Sequence, residues 1–585
     1  MNRQFGSQHE RGSIAPCTHS RCSRREVLHA MGWTLLGTAP STWAAAATLS
    51  PDEERKIAAA VPRAAWVSPR RPHRLLIFDL NVGYPGHRSI AHANRAFELM
   101  GRTTGVYQAE VSRDPTVFAP EHLERFDGVL LNNAVGNLFE DPKFRASLLD
   151  FVLRGGGLMG LHGTSVAFTR WPGAHEDWPE FGRMLGARGA AHRAADERGV
   201  VRVDDPTHPL NAIWPAKSFE FRTEYFRFRD PYSRRRVRVL LTLQPEDPSL
   251  EDGTTRPDHD DAVAWVRHYG RGRVFYSSVG HNPEIFWDPT WLQFYLGAVQ
   301  FILGDLDVPT TPSAWLTPGQ RARERLGWKL GFEALSCHHL SVAETAEVAA
   351  RLGVPYLSAL STQSVHPNHR EPLMPGVSAE ALTVLRERLD AHGVRLLSWL
   401  IRRFPREPDT MRATMSFAQG LGVEVVVTEP AVEDLDRIRV LAEEFDLRIA
   451  IPNHSPGESS DMWHPDQLDR ITQGRSPWIG VCADVGHWAR AGIDPVRAVE
   501  QLADRILVLQ LHDLDRADAQ GRDVAWGTGV LNVAGVLEAL ARTGSRPVML
   551  GLEYPGEPPA ALELWTTCVK FADEQCIRLA SAERP

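Results

Sequence analysis

The sequence predicts an α/β protein of two domains, a mostly parallel sheet with helices on both faces followed by a (β/α)8 TIM barrel. Three observations predict it. The chain has 585 residues, too many for one hydrophobic core. Short apolar runs alternate with segments of helical periodicity along most of its length. The proline-bearing stretch DVPTTPSAWLTPGQRARERL, residues 307–326, interrupts that alternation near the middle and reads as a linker.

Before the linker, RLLIFDL (74–80), GVLLNNA (128–134) and GLMGLHG (157–163) read as strands. SIAHANRAFELMG and FRASLLDFVLRGG carry the 3.6-residue spacing of helices. AVAWVRHYG and GRVFYSSVGH follow as strands, then the helix WLQFYLGAVQFILG. Strand–helix alternation implies a mostly parallel sheet with helices on both faces. After the linker, apolar strands are predicted at 329–336, 355–361, 394–401, 423–428, 447–452, 478–483, 505–511 and 547–552, with a helical segment after each. The span from Lys329 to Tyr554 falls within the roughly 200–400 residues a closed barrel uses. An open doubly wound sheet is the alternative, but eight evenly spaced units favour closure.

Composition narrows the function. Hydrophobic residues make up 43% and charged residues 24%, ordinary for a soluble globular protein. A net charge of −8 gives no reason to expect nucleic acid as a partner. Residues 1–47 read as an export signal. The paired Arg24 and Arg25 precede a short apolar run and the small-residue tract AAAA at 44–47, the pattern of the twin-arginine route. The run is too short for a permanent bilayer span. The mature protein is therefore expected in the periplasm or outside the cell, without stable membrane insertion. Cys17 and Cys22 fall in the signal. Cys337 and Cys482 are read as buried strand thiols, and Cys568 and Cys576 share a helix too far apart to bridge.

Barrel enzymes place their active site at the C-terminal ends of the strands. Five consecutive strands of the second half end there in ionisable or amide side chains. These are Glu429 after strand four, Asn453 and His454 after five, Asp484 and His487 after six, Gln510, His512 and Asp513 at seven, and Glu553 after eight. Any one alone is an ordinary capping or surface group. Together at one mouth, carboxylates and imidazoles repel or starve one another unless a cation stands among them. The donor set suits one divalent Mn, Zn, Co or Mg ion. His487 and Trp488 are placed to support the metal or face a sugar, and Trp399, Trp463 and Trp526 are further candidates to stack on a ring.

The stretches NHSP (453–456), GVCADVGHW (480–488), LHDLD (511–515), GTGVLN (527–532) and GLEY (551–554) make residues 327–580 resemble the xylose isomerase-like TIM barrels of the sugar phosphate isomerase/epimerase superfamily. The resemblance implies a single divalent metal held by Glu429, Asp484, His512 and Glu553. Two departures stand out. Pro452 occupies a place where relatives often carry Glu or His, so His454 is an alternative ligand, and alignment from GTG puts Gln510 on the usual His position. The implied substrate is a small sugar. A metal chelated by its carbonyl and neighbouring hydroxyl acidifies the C–H between them. Glu429 and Glu553 are the base and acid candidates, and Asn453, His487, Trp488 and Trp399 the substrate contacts. The product is an epimer or isomer, or, with loss of a β-substituent from a keto-sugar or keto-glycoside, an elimination product. The rival readings are a non-catalytic carbohydrate-binding protein and, less favoured by the charge, a metal-dependent phosphodiesterase.

The stretches GGGLMGLHGTS (155–165), DPTHPL (205–210), FRTEYFRF (221–228) and AVAWVRHYGRGRVFYSSVGHN (262–282) make residues 72–305 resemble the ThuA-like, trehalose-utilisation family, which implies a flavodoxin-like, class I glutamine amidotransferase-like fold. No cysteine lies between Cys22 and Cys337, which excludes glutamine hydrolysis through a cysteine nucleophile. His162, His192, Glu224, Tyr225 and His281 match positions around a polar pocket of that family, which the resemblance implies is related to carbohydrate.

Overall fold

The computed structural model describes residues 49–171, 174, 176–244, 254, 256–456, 462–475 and 477–582. The segment read as an export signal lies outside the described residues.

The first domain is built on nine strands in the order β2-β1-β3-β4-β11-β10-β9-β6-β7. They are β1 (Arg74–Phe78), β2 (Gln108–Ser112), β3 (Gly128–Asn132), β4 (Gly157–Leu161), β6 (Arg198–Val203), β7 (Ser218–Arg222), β9 (Arg238–Gln244), β10 (Ala262–Tyr269) and β11 (Gly272–Ser277). A separate antiparallel ribbon pairs β5 (Arg188–His192) with β8 (Phe226–Arg229). Strands β2, β1, β3, β4 and β11 run parallel, as the alternation predicts. From β11 onward the sheet continues antiparallel, because the sequence there turns by hairpins rather than crossover helices. Both faces are buried, which is why the central strands read as unbroken apolar runs. Leu75 and Ile77 of β1 enter one core with Phe97 and Tyr295, while Leu76 and Phe78 enter the other with Phe118. The nearly all-apolar helix Pro289–Ile302 is N-capped by Asp288 and closes the first face.

The second domain is a closed barrel of β12 (Leu330–Phe332), β13 (Tyr356–Leu360), β16 (Arg395–Arg403), β17 (Val425–Glu429), β18 (Arg448–Pro452), β19 (Ile479–Asp484), β20 (Ile506–Leu511) and β23 (Met549–Leu552). Every neighbouring pair is parallel. Short ribbons β14/β15 (Ser364–His366, His369–Pro372) and β21/β22 (Asp513–Leu514, Asp523–Val524) decorate the mouth side. Val425, Val427, Cys482, Val508 and Met549 fill the barrel interior, and the helices pack outside. Within the stretch read as linker, Thr317 caps the helix Pro318–Leu326, whose Arg323 pairs with Asp573 of the C-terminal helix Ala561–Ala582. The four cysteines of the described residues are free and buried; Cys337 lies in a short 3-10 turn rather than a strand.

The two domains meet back to back. From the first come residues at the N-terminal ends of the parallel strands and the β10–β11 turn; from the second, the N-terminal rim of the barrel. Arg267 bonds Asp390 at 2.5 Å, Arg236 lies 3.2 Å from the same carboxylate, and Arg395 donates to the Gly270 carbonyl at 2.9 Å. Arg154 bonds Gln419, and Arg271 bonds Asp446. A cavity of about 1720 Å³ between the domains is lined by Arg71, Asp127, Lys329, Arg395, Glu424 and Arg546 and contains none of the candidate ligands. Both candidate sites sit at the C-terminal ends of their strands, on the far sides of the molecule. No helix among the described residues is long and apolar enough to cross a membrane.

Candidate functional site

Asp484, His512 and Glu553 end or follow β19, β20 and β23, three adjacent staves of the barrel. One ligand atom of each lies within 4.8 Å of the other two. His512 Nε2 is 3.4 Å from Asp484 Oδ2 and 3.9 Å from Glu553 Oε2. Both His512 Nε2 and Glu553 Oε2 are buried with no hydrogen-bond partner. Stranding such atoms in the interior costs about 1–3 kcal/mol each, more when charged, so their convergence on one point fits a cation.

The neighbours hold this trio in place. His512 Nδ1 bonds Asp523 Oδ1 at 2.6 Å, which turns Nε2 toward the two carboxylates. The Asp484 backbone is clamped from both sides by Asn453, whose Nδ2 donates to the Asp484 carbonyl at 2.9 Å and whose Oδ1 accepts from the Asp484 N–H at 2.7 Å. Asp484 Oδ1 also caps the helix Val485–Arg490 by accepting from the His487 N–H at 2.8 Å. Candidate cation ligand and N-cap are thus one carboxylate, a single oxygen serving the helix.

The electrostatics follow from burial. Burial pushes Glu553 up to about 8, helped by Asp484, Glu333 and Asp523 and opposed by His512. Burial likewise pushes Glu333 up to about 7. For Asp484 burial acts upward, but His512 and His487 outweigh it and hold the carboxyl far below its ordinary value. Burial depresses the His512 ring, yet Asp484, Asp523 and Glu553 raise it well above its ordinary value. Three carboxyls around one imidazole thus share fewer protons than they have sites.

The other predicted residues divide. Glu429 ends β17 outside the trio, its Oε1 2.6 Å from His454 Nε2. His487 opens toward the mouth, with Nδ1 2.8 Å from Ser455 Oγ and Nε2 3.6 Å from Asp484 Oδ2. Gln510 Oε1 accepts from the buried Cys482 thiol at 3.2 Å. Asn453 is a clamp on Asp484 and not a surface for substrate. Trp399 and Trp488 require correction as sugar contacts. Trp399 is buried beside Phe417 and donates to the Leu373 carbonyl, and Trp488 is fully buried and donates to the Trp463 carbonyl. Large rings next to a strand end gain more from the helix-packed core than from a wet mouth. Trp526 is buried as well.

Sequence reading passes over Glu333 and Asp523. Glu333 follows β12 with its Oε1 buried and unpartnered, pressed against Gly551 of β23, where a Cβ would stand 2.5 Å from that oxygen. The signal was a carboxylate directly after the apolar run KLGF, hidden by reading the strand through Ser336.

In the first domain His162, Glu224 and His281 converge with His87, a residue the sequence reading did not single out. His192 lies at their rim, Nδ1 3.2 Å from Glu224 Oε2. Tyr225 does not join them. It is buried in the first core, with its hydroxyl donating to the Phe221 carbonyl, a correction whose reason is the area a large ring gains from apolar packing in the connection between β7 and β8. Burial, with the neighbouring imidazoles His162, His281 and His192, pushes His87 down to about 2.

Comparison with known proteins agrees with both halves. Residues 74–302 match the ThuA family, described as trehalose utilisation, and residues 346–571 match the family described as xylose isomerase-like TIM barrel. No curated protein matches the chain. Among solved structures, an uncharacterised protein from Parabacteroides distasonis is 28% identical, with 42% of this chain and 98% of that one covered and a TM-score of 0.35. A ThuA-like protein from Bacteroides uniformis is 20% identical, covering 40% and 93%, with a TM-score of 0.34. A xylose isomerase-like TIM barrel protein from Mycobacterium smegmatis, in complex with magnesium, is 12% identical, covering 43% and 98%, with a TM-score of 0.36. The chain therefore joins a ThuA domain to a xylose isomerase-like TIM barrel, a fold family that includes sugar isomerases and epimerases.

Proposed function

We propose that the barrel is a divalent-metal-dependent enzyme that removes a proton next to the carbonyl of a sugar or keto-glycoside. The observation that carries this reading is the convergence of Asp484, His512 and Glu553 with two buried, unpartnered ligand atoms. When bound, the cation polarises a carbonyl and stabilises negative charge on its oxygen. Asp484, His512 and Glu553 hold it, and Asp523 fixes the tautomer of His512. Glu429, held by His454, takes the proton from carbon, and Glu333, a buried acid outside the metal-holding trio whose raised proton affinity suits donation near neutral pH, returns it. Return of the proton to carbon gives an epimer or isomer; protonation of a departing β-oxygen gives elimination.

The test is metal content of the full chain beside Asp484→Ala, followed by solvent-deuterium exchange into keto-sugars. Wild type reconstituted with Mn, Zn, Co or Mg is expected to hold one cation at the barrel and to exchange a carbon-bound proton. Asp484→Ala is expected to lose that cation and at least about a hundredfold in rate, the scale of removing a central electrostatic group. A reconstituted wild type that gains no Asp484-dependent metal sinks the proposal. Export belongs to the same reading. Arg24→Lys with Arg25→Lys is expected to leave the protein in the cytoplasm on cell fractionation, and unchanged export of that variant refutes the twin-arginine route.

A further inference from the structure

The first domain carries a cluster that the barrel chemistry does not use. His87 follows β1, His162 follows β4, His281 follows β11, and Glu224 stands between β7 and β8. One ligand atom from each of the four lies within 4.8 Å of all the others. The three imidazoles touch one another, with ring centroids 4.9–5.2 Å apart. His87 Nδ1, His162 Nε2 and His281 Nδ1 are all buried without a hydrogen-bond partner. Three imidazoles in mutual contact, each with an orphaned ring nitrogen, beside a carboxylate are costly as a core and suited to a metal.

The surroundings prepare the ligands. His162 Nδ1 lies 2.8 Å from the Ser278 carbonyl oxygen, so Nδ1 carries the proton and Nε2 keeps its lone pair toward Glu224 Oε1, 3.3 Å away. His162 also holds φ of 42°, a strained backbone for a residue with a Cβ. The Tyr276 hydroxyl fixes it there by donating to the His162 carbonyl at 2.7 Å. The side chain of His281 remains 25% exposed, which leaves a path for a cation from solvent.

We propose that His87, His162, His281 and Glu224 form a second divalent-metal site, selective for zinc-class cations. Three imidazoles with one carboxylate are borderline-soft donors that suit Zn²⁺ and disfavour Mg²⁺ or Ca²⁺, which take oxygen ligands. The barrel trio, with two carboxylates and one imidazole, has no such bias. His192, on the rim, orients Glu224 and is a positioning residue.

The test is zinc stoichiometry of the full-length protein after loading and dialysis, with near-UV circular dichroism as a fold control. Asp484→Ala, which removes the barrel cation, is expected to keep about one zinc per chain. Adding His87→Gln and His281→Gln to it is expected to remove that zinc, together with the rise in thermal midpoint that zinc gives. Magnesium is expected to produce neither. Should the double histidine change not fold, His87→Gln alone on the Asp484→Ala background is expected to weaken zinc at least about tenfold. A folded Asp484→Ala that holds no zinc overturns the proposal, as does zinc retained undiminished by the histidine variants. The barrel reading fails separately, if wild type holds about one zinc that is indifferent to Asp484 and lost with His87 and His281.

Discussion

On the proposed reading of the barrel, Glu553 and His512 make cation binding a proton-coupled event. Glu553 is pushed up to about 8, first by burial, so below that pH a proton occupies the oxygen the metal needs. His512 is raised well above its ordinary value by Asp484 and its neighbours against the effect of burial, so its Nε2 proton must leave too. The sign is fixed: both groups favour their protonated forms in the free protein, so affinity climbs as pH rises, less steeply once Glu553 has lost its proton above about 8, and levels only when His512 has lost its own. Two protons are expected to be released per cation near pH 7, read by calorimetry in buffers of different ionisation enthalpy, and Glu553→Gln is expected to reduce this to about one. A pH-independent affinity between 6 and 8 contradicts the assignment. The first domain contrasts with this, because His87 is pushed down to about 2 by burial and by the imidazoles around it, and enters the physiological range as a neutral ring.

At the scale of elements, the short helix Val485–Arg490 decides how tightly β19 and β20 present their ligands. Gly486 lets that helix lie against His512; a Cβ there would stand 2.8 Å from His512 Cγ and 2.9 Å from its Cβ. Gly486→Ala is expected to displace the imidazole, at an overpacking cost of about 1–3 kcal/mol. Metal content should fall while far-UV circular dichroism keeps the barrel signal; full metal loading shows that the contact is slack. The same elements show what a sequence makes legible. All eight barrel strands were readable because buried parallel strands are short apolar runs of even spacing, and Asp484, His512 and Glu553 were readable because each directly follows such a run. Glu333 was not, because KLGFEALS hides where β12 stops. Trp399 and Trp488 were misplaced because sequence says which residues follow a strand and not which way a large ring turns. His87 was missed because it follows a glycine- and proline-bearing loop rather than a strand end, and only the fold brings it beside His162. The antiparallel half of the first sheet was hidden for a related reason: hairpin returns there look like further strand–helix units.

At the scale of the molecule, Asp390 is the hinge of the domain interface. It is 6% exposed and receives Arg267 at 2.5 Å and Arg236 at 3.2 Å. Asp390→Ala leaves two cations facing a buried gap, a change that costs about 3–5 kcal/mol when a partner is removed from a buried pair. Wild type is expected to unfold in one calorimetric transition and Asp390→Ala in two; a single unshifted transition shows that other contacts carry the interface. That interface has a further consequence. The domains are joined through the ends of their strands opposite to both candidate sites, so the two mouths open onto separate volumes of solvent. A compound leaving one mouth would be diluted into bulk before it met the other. Fusion here sets a one-to-one dosage of the two domains and leaves any traffic between their mouths to diffusion, so a scavenger in solution would intercept whatever passed.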